Sequence, residues 1–413
     1  MNVSDIKGIL YSERPNMKNI RTKLLILADD LTGALDSGVQ FSRKGDKVLI
    51  CTNIDHAFEH LDQADILVID TESRHVRKED AYQIVFTLVK KAISAGISQI
   101  YKKTDSGLRG NVGAELAAVL DASGERRVEF VPSWPKMNRT TRNGIHYVDD
   151  VPLAESVFAS DVVDPVTESD ISKLIHCQTD VPVVLNRNNP GDCGIIVYDC
   201  ETDEELEEIG RQLSSCELVA GCAGLLEKYP KQSEKQRQEE EINLEKHLIV
   251  LSGSMNDVTI RQLKNAEEGG AYRVHAPMQK VVNNNWSDPE ICEFCRDFLK
   301  NAHTPIAIID SLGTFEQNGY SSEVLSHHIA QYMGHIAMCL LNEKMTGTFM
   351  IIGGDTLQGF IRELDIDVLS PVKEMAPGIV LARYIHNNEK HYLITKSGAF
   401  GTENQLQEIQ EKL

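Results

Sequence analysis

The chain is poor in aromatic residues and in positive charge, contains no apolar run long enough to cross a membrane, and carries neither of the common glycine-rich phosphate-loop signatures. Aromatic side chains make up 6% of the 413 residues, so the core must be mainly aliphatic, as in soluble α/β enzymes. Lys and Arg number 42 against 62 Asp and Glu, a formal charge of −20. Such a chain repels nucleic-acid backbones and anionic lipid unless a concentrated basic patch overrides its field, and the sequence holds no such patch. A few cations inside a cleft can still reverse the potential locally for a small anion. No stretch of about 18 apolar residues occurs, and the first residues (MNVSDIKGILYSERPNMKNIRTK) lack the apolar segment of a signal peptide. A cytoplasmic protein is expected, with no membrane or nucleic-acid partner; a homo-oligomer remains open. The nine cysteines are scattered singly apart from Cys292 and Cys295, which reads as reduced thiols. That pair has no second pair at zinc-site spacing, and Ile291, Phe294 and Phe298 around it make an apolar helix face, so it is read as core. GxxxxGK[ST] and GxGxxG are both absent, which excludes a Walker A loop and leaves a dinucleotide-dependent oxidoreductase without support.

What the chain does contain is an alternation of short β-branched runs with longer amphipathic segments. This predicts an α/β fold: two α/β domains with mainly parallel sheets and an active-site cleft between them. Strands are expected at Lys23–Ala28, Asp65–Asp70, Gln99–Lys103, Val128–Val131, Gly194–Asp199 and Leu218–Ala220, with helical spacing over Lys78–Ala95. Pro230 to Lys246 (PKQSEKQRQEEEINLEK) is almost wholly polar. A solvated surface helix would look similar, but a strand restarts at once at His247–Leu251, which favours a linker. Further strands are expected at Pro305–Ile309, Thr348–Ile352, Ile379–Tyr384 and His391–Lys396. The expected division is an extension over 1–21, a first domain over 22–230, a linker over 231–246 and a second domain over 247–413.

Ligands of open α/β sheets bind at the carboxyl ends of strands, so the residues just after each strand are the first candidates. The first strand runs into Asp29 and Asp30 and a small-residue turn. The pair can bind a hydroxyl or supply a general base, and it can equally cap a helix. The second ends in Asp70-Thr71-Glu72-Ser73-Arg74. The third ends in Lys102-Lys103-Thr104-Asp105-Ser106-Gly107-Leu108-Arg109-Gly110, where Lys103 and Arg109 can hold a carboxylate or a transferring phosphoryl group, Ser106 adds a neutral donor and Asp105 can position a hydroxyl. Together they predict an acid-binding pocket. The loop 132–144 carries three basic residues among turn formers and suits a pocket wall or lid, or a rigid surface loop.

After the linker the chemistry changes. Ser252-Gly253-Ser254, Gly353-Gly354-Asp355-Thr356 and Lys396-Ser397-Gly398 each follow a strand, and the first two open helices, where free amides favour phosphate oxygens. Asp355 can bind magnesium or a ribose. One such loop is explained by a tight turn; three at successive strand ends predict a polyphosphate site. His75, His146, His303, His327, His328 and His335 pair with nothing at metal-ligand spacing, so no structural metal is expected.

Taken in order, the motifs resemble the four-carbon acid sugar kinase family, formerly a domain of unknown function: ADDLTGALDSGVQF at 28–41, DTESR at 70–74, KKTDSGLRGNVGAEL at 102–116, RTTRNGIHYVDDVPLAESVFASD at 139–161, SGSMNDVTIRQ at 252–262, IGGDT at 352–356, APGIVLARY and KSGAFG at 396–401. The resemblance implies a sugar-acid-binding first domain, an ATP-binding second domain, and phosphorylation of a terminal hydroxyl of threonate, erythronate or 3-oxo-tetronate. It places Asp29, Asp30, Ser73, Arg74, Lys103, Asp105, Ser106 and Arg109 at the acid, and Ser252 or Ser254, Gly353 to Thr356 and Gly398 at ATP. Gly107, Ile352 and Leu357 depart from the usual pattern and bear on specificity; GVQF leans toward threonate and erythronate kinases. The expected mechanism pairs the acid's carboxylate with Arg74, Arg109 or Lys103 and gives the hydroxyl proton to Asp30 or Asp105, with Asp355 as competitor and Mg2+ neutralising the phosphates. The rival expectation is a non-catalytic sensor of sugar acid or nucleotide.

Overall fold

The computed structural model describes residues 20–161, 164–185, 192–233, 242–313 and 319–413. Most of the expected extension and the middle of the expected linker, 234–241, lie outside these. The expected strands form, with ends shifted by at most two residues. Val48–Cys51, Val183–Leu185, Tyr272–His275 and Val368–Ala376 are added to them. Residues expected to form a loop at 132–144 instead hold a short 3₁₀ turn, Pro135–Met137, and a strand, Arg139–Arg142, that pairs with Ile145–Val148 in a small antiparallel sheet.

Eight strands of the first half are parallel, in the order Val48–Cys51, Ile66–Asp70, Leu24–Ala28, Gln99–Lys103, Leu218–Gly221, Arg127–Val131, Gly194–Val197, Val183–Leu185. Leu24–Ala28 is buried along its whole length, as a parallel strand covered on both faces must be. Its neighbours are the second and third strands of the expected pocket, so their carboxyl ends adjoin at the point where the chain order reverses. In the second half Leu248–Ser252 lies between Ile306–Asp310 and Thr348–Ile352 in the same way.

The halves share one sheet of 15 strands. Glu389–Lys396, Ile379–His386 and Val368–Ala376 run as an antiparallel meander, and its last strand pairs with the first half through Val368 opposite Cys51 and Leu369 opposite Ile50. Thr52 extends the seam, its N–H donating to Asp367 O at 3.0 Å and its hydroxyl to Ile366 O at 2.5 Å. Cys295 is buried on the helix Asp288–Asn301, in the core that Ile291 and Phe298 also enter. No helix among the described residues is long and apolar enough to cross a membrane.

The helix Gly354–Glu363 lies against Ser322–Asn342 with glycines at the crossing: a Cβ on Gly359 would fall 2.0 Å from Ala330 O, and one on Gly334 2.5 Å from Gly359 O. Backbone atoms cannot rotate away as a side chain can. Gly359→Ala is therefore expected to force the helices apart and to cost about 1–3 kcal/mol, as overpacking usually does, read as a lower urea midpoint; an unchanged midpoint would contradict this packing.

Candidate active site

Three strand tips of the first half converge on Arg74. Its Nε donates to Asp29 at 2.8 Å and its Nη1 to Asp30 at 2.8 Å, while Nη2 lies 3.7 Å from Asp105. Arg109 grips Asp105 with two bonds of 2.7 and 3.1 Å and reaches Asp161 at 2.9 Å. Burial disfavours charge on Asp105, but the guanidiniums of Arg109 and Arg74 outweigh it and hold its carboxyl well below the usual range. Asp30 is opposed by burial and lowered by Arg74, Lys103 and a hydrogen bond from Thr32. It also caps the helix Leu31–Ser42, accepting from Gly33 N–H at 2.9 Å, so the capping and binding readings of this residue are compatible.

Lys103 is 5% exposed and has no carboxylate within ion-pair distance among the described residues; its one hydrogen bond, 2.8 Å, goes to Thr104 O. Next to it, Lys102 points to the opposite face of the strand and forms a buried ion pair with Glu115 at 3.0 Å. Glu115 also accepts from the Ser73 hydroxyl, which lies 2.6 Å from Thr71 Oγ1. The hydroxyl of Ser73 is thus engaged beneath the loop, whereas Asp29, Asp30, Arg74, Lys103, Asp105, Ser106 and Arg109 stand at the strand tips. Asp29 Oδ1 and Thr104 Oγ1 are buried without a hydrogen-bond partner. Such orphans cost about 1–3 kcal/mol each, and their presence at these tips fits groups that a polar ligand satisfies.

Sequence reasoning did not single out two contributors. His146, fully buried, donates from Nε2 to Ser106 O at 3.0 Å and accepts at Nδ1 from Thr141, which accepts from Ser133 at 2.9 Å. Burial lowers its pKa to about 4, so it is neutral and its hydrogen bonds run in one direction along the chain. Arg139, in the hairpin, stacks with Arg109 about Phe158 at 5.6 and 5.0 Å and keeps a buried, unpartnered Nε. The three basic residues of that segment were the available signal; the position of Arg139 over Phe158 was not in the sequence.

In the second half Thr356 is buried and its hydroxyl accepts from Gly253 N–H at 3.1 Å, tying two of the expected phosphate loops together. Gly353 adopts a φ of 105°, a conformation that favours glycine, and turns the chain so that Gly354 and the exposed Asp355 open a helix. Lys396 is 1% exposed; its ammonium donates to Ser397 O at 3.0 Å and Gly398 O at 3.3 Å, and burial lowers its pKa to about 7. A Cβ on Gly398 would lie 2.6 Å from Ser254 Oγ, so the third loop closes on the first. Ser252 Oγ is buried without a hydrogen-bond partner. Among the described residues no three His, Cys, Asp or Glu side chains gather at metal-binding distances.

The two sets of loops meet. Gly354 lies against Thr32, the position of its Cβ being 3.8 Å from Thr32 Cγ2, and the Thr32 hydroxyl donates to Asp30 at 2.6 Å. One turn along the same helix, Gln358 donates to the buried Asp70 at 3.0 Å and Arg362 pairs with Glu72.

Residues 24–229 match the sugar-binding N-terminal domain model and residues 249–406 the nucleotide-binding C-terminal domain model. The chain is 28% identical to D-threonate kinase of Salmonella typhimurium, over 93% of this chain and 96% of that protein. It is 28% identical to D-erythronate kinase of Heliobacterium modesticaldum (92% and 94%) and 25% identical to 3-oxo-tetronate kinase of Brucella melitensis (92% and 93%). A solved structure from Salmonella typhimurium LT2 superposes with a TM-score of 0.76 at 20% identity, over 94% of this chain and 99% of that one. A Haemophilus influenzae protein of the DUF1537 family does so at 0.67 and 21%, with the same coverage. These two establish the shared α/β architecture. With both domain models matched and full-length relatives that are kinases of four-carbon sugar acids, the chain belongs to the four-carbon acid sugar kinase family and is a sugar-acid kinase.

Proposed function

We propose that the enzyme uses ATP and Mg2+ to phosphorylate the terminal hydroxyl of D-threonate or D-erythronate, binding the acid in residues 22–230 and the nucleotide in 247–413. The observation that carries this reading is the contact of Gly354 with Thr32, because it sets a helix N-terminus suited to phosphate against the carboxylates suited to sugar hydroxyls. Relatives named for D-threonate and D-erythronate, both 28% identical, support the choice of acid, as does the GVQF ending of the first motif.

The nucleotide fits the second half on its own features. The unpartnered Ser252 Oγ offers a donor, the glycines at 353 and 398 keep room that a Cβ would fill, and Lys396 supplies a buried cation. Asp355, exposed at the helix start, would hold Mg2+, which neutralises phosphate charge when bound. In the first half Arg74 and Arg109 are engaged by carboxylates, so Arg139, whose Nε is unpartnered, takes the acid's carboxylate while Asp29, Asp30 and Ser106 orient its hydroxyls. Lys103, close to Gly33 and hence to the contact between the halves, stabilises the charge that develops on transfer.

ADP release assayed with a panel of four-carbon acids is expected to be fastest with D-threonate or D-erythronate; a clear preference for 3-oxo-tetronate would overturn the assignment of the acid. Arg139→Ala should raise KM for the acid roughly tenfold, the loss of one charge-assisted contact of about 1.5 kcal/mol, and leave KM for ATP unchanged; an equal rise in both would remove Arg139 from the acid site.

Lys396 sets a pH dependence. Buried in the free protein, it gives up its proton as pH rises through about 7, whereas phosphate oxygens favour the charged form. Nucleotide binding between pH 7 and 9 should therefore take up a proton, with affinity falling as pH rises. Calorimetry in buffers of different ionisation enthalpy measures this, and Lys396→Met should abolish it; equal heats in all buffers for the wild type would contradict it.

A further inference from the structure

Phosphorylation of a hydroxyl requires a group to receive its proton, and the carboxylates at the strand tips are poorly disposed to do so. Asp105 is held by two bonds from Arg109, and Asp30 by Arg74, Thr32 and the helix N-terminus it caps. Carboxylates so stabilised as anions are weak bases. Asp36 is different. It lies on the helix Leu31–Ser42, one turn beyond Gly33, and among the described residues nothing hydrogen-bonds to its carboxylate.

Three charged groups face Asp36: Lys103 from the strand Gln99–Lys103, Asp30 at the start of its own helix, and Glu374 from the strand Val368–Ala376 of the second half. Glu374 is paired with Arg43 at 3.0 Å, and Arg43 with Glu227 at 3.2 Å. Gly33 lets the helix approach Lys103 closely, since a Cβ there would lie 2.6 Å from Asp30 Oδ1 and 2.9 Å from Lys103 Nζ. Thr32, beside Gly33, is the residue that Gly354 touches. Asp36 is thus an unengaged carboxylate next to a buried lysine, on the helix whose first turn meets the phosphate-binding half.

We propose that Asp36 is the general base of the phosphoryl transfer, an assignment that rests on the ATP-dependent reading above. The acceptor hydroxyl oxygen forms its bond to the γ-phosphorus, the bond from that phosphorus to the β,γ-bridging oxygen breaks and its electron pair leaves on ADP, and the hydroxyl proton passes to a carboxylate oxygen of Asp36. Lys103 faces the charge passing between them. Burial raises the Asp36 carboxyl, Lys103 lowers it, and Asp30 and Glu374 raise it further, to about 7, where a base at neutral pH is most effective.

The test compares wild type, Asp36→Asn and Asp36→Glu across pH 5.5–9 with ATP and whichever four-carbon acid the wild type turns over. Asp36→Asn is expected to lower kcat by about 10²–10⁴-fold with both KM values within about threefold. The wild-type kcat should fall below about pH 7, the residual rate of Asp36→Asn should lack that limb, and Asp36→Glu should recover part of the rate. A second readout needs no activity. Because folded Asp36 holds a proton up to about pH 7 that the unfolded chain releases near 4, wild-type stability falls as pH rises through that window. Asp36→Asn lacks the fall and should melt above the wild type at pH 8. Turnover by Asp36→Asn within tenfold of wild type with the acidic limb intact would overturn the assignment and leave the kinase reading standing. A loss confined to KM would also overturn it, making Asp36 a residue that shapes the site.

Discussion

The buried Arg74 is the constraint on which the first half depends. Its guanidinium draws Asp29, Asp30 and Asp105 from two strand tips to a third, and removing one member of such a cluster leaves an uncompensated buried charge, at a cost of about 3–5 kcal/mol. The cluster therefore fixes the relative positions of three loops as well as supplying polar groups. It also decides which charges remain for a ligand. With Arg74 and Asp105 satisfied, Lys103 and Arg139 keep unused donors, and among the described residues the Asp36 carboxylate has no hydrogen-bond or ion-pair partner.

Joining the halves edge to edge brings together the strand-tip loops of two separate crossing points. Each half places its chemistry at the carboxyl ends of parallel strands, as open α/β sheets do. The antiparallel strand Val368–Ala376 pairs its start with Val48–Cys51 and carries Glu374 toward the helix that bears Asp36. From the other side the helix Gly354–Glu363 starts at Thr32 and reaches Asp70 and Glu72 by its second turn. The Gly-rich backbone and the cluster of carboxylates and cations are thereby held to one rigid element, the kind of positioning that phosphoryl transfer demands more than any covalent chemistry from the protein.

Much of the fold was legible because parallel strands buried on both faces read as unbroken aliphatic runs: LLILA at 24–28 and TFMII at 348–352 are wholly buried. The strands that were not anticipated are mostly short or at edges and junctions, where burial is partial and the pattern weak. Tyr272–His275 has no fully buried residue, and Val368–Ala376 alternates irregularly around two register shifts. Among site residues, the strand-tip loops advertised themselves by concentrating Asp, Lys, Arg, Ser and Gly. Ser73 stood in such a loop, yet its hydroxyl bonds to Glu115, because side chains at a strand end alternate between faces and sequence does not say which face holds the ligand.

By itself the sequence determined the α/β class, the order along the chain of the cation-and-carboxylate loops and the Gly-Ser loops, and the family, since each depends on residue type and spacing. Only the tertiary structure decided which of those residues are already neutralised by one another. Asp30, Asp36 and Asp105 are the same residue type in similar motifs, but two are locked by arginines and one is not. A carboxylate's basicity depends on the charges, hydrogen bonds and water around it, and those come from strands and helices far apart in the chain.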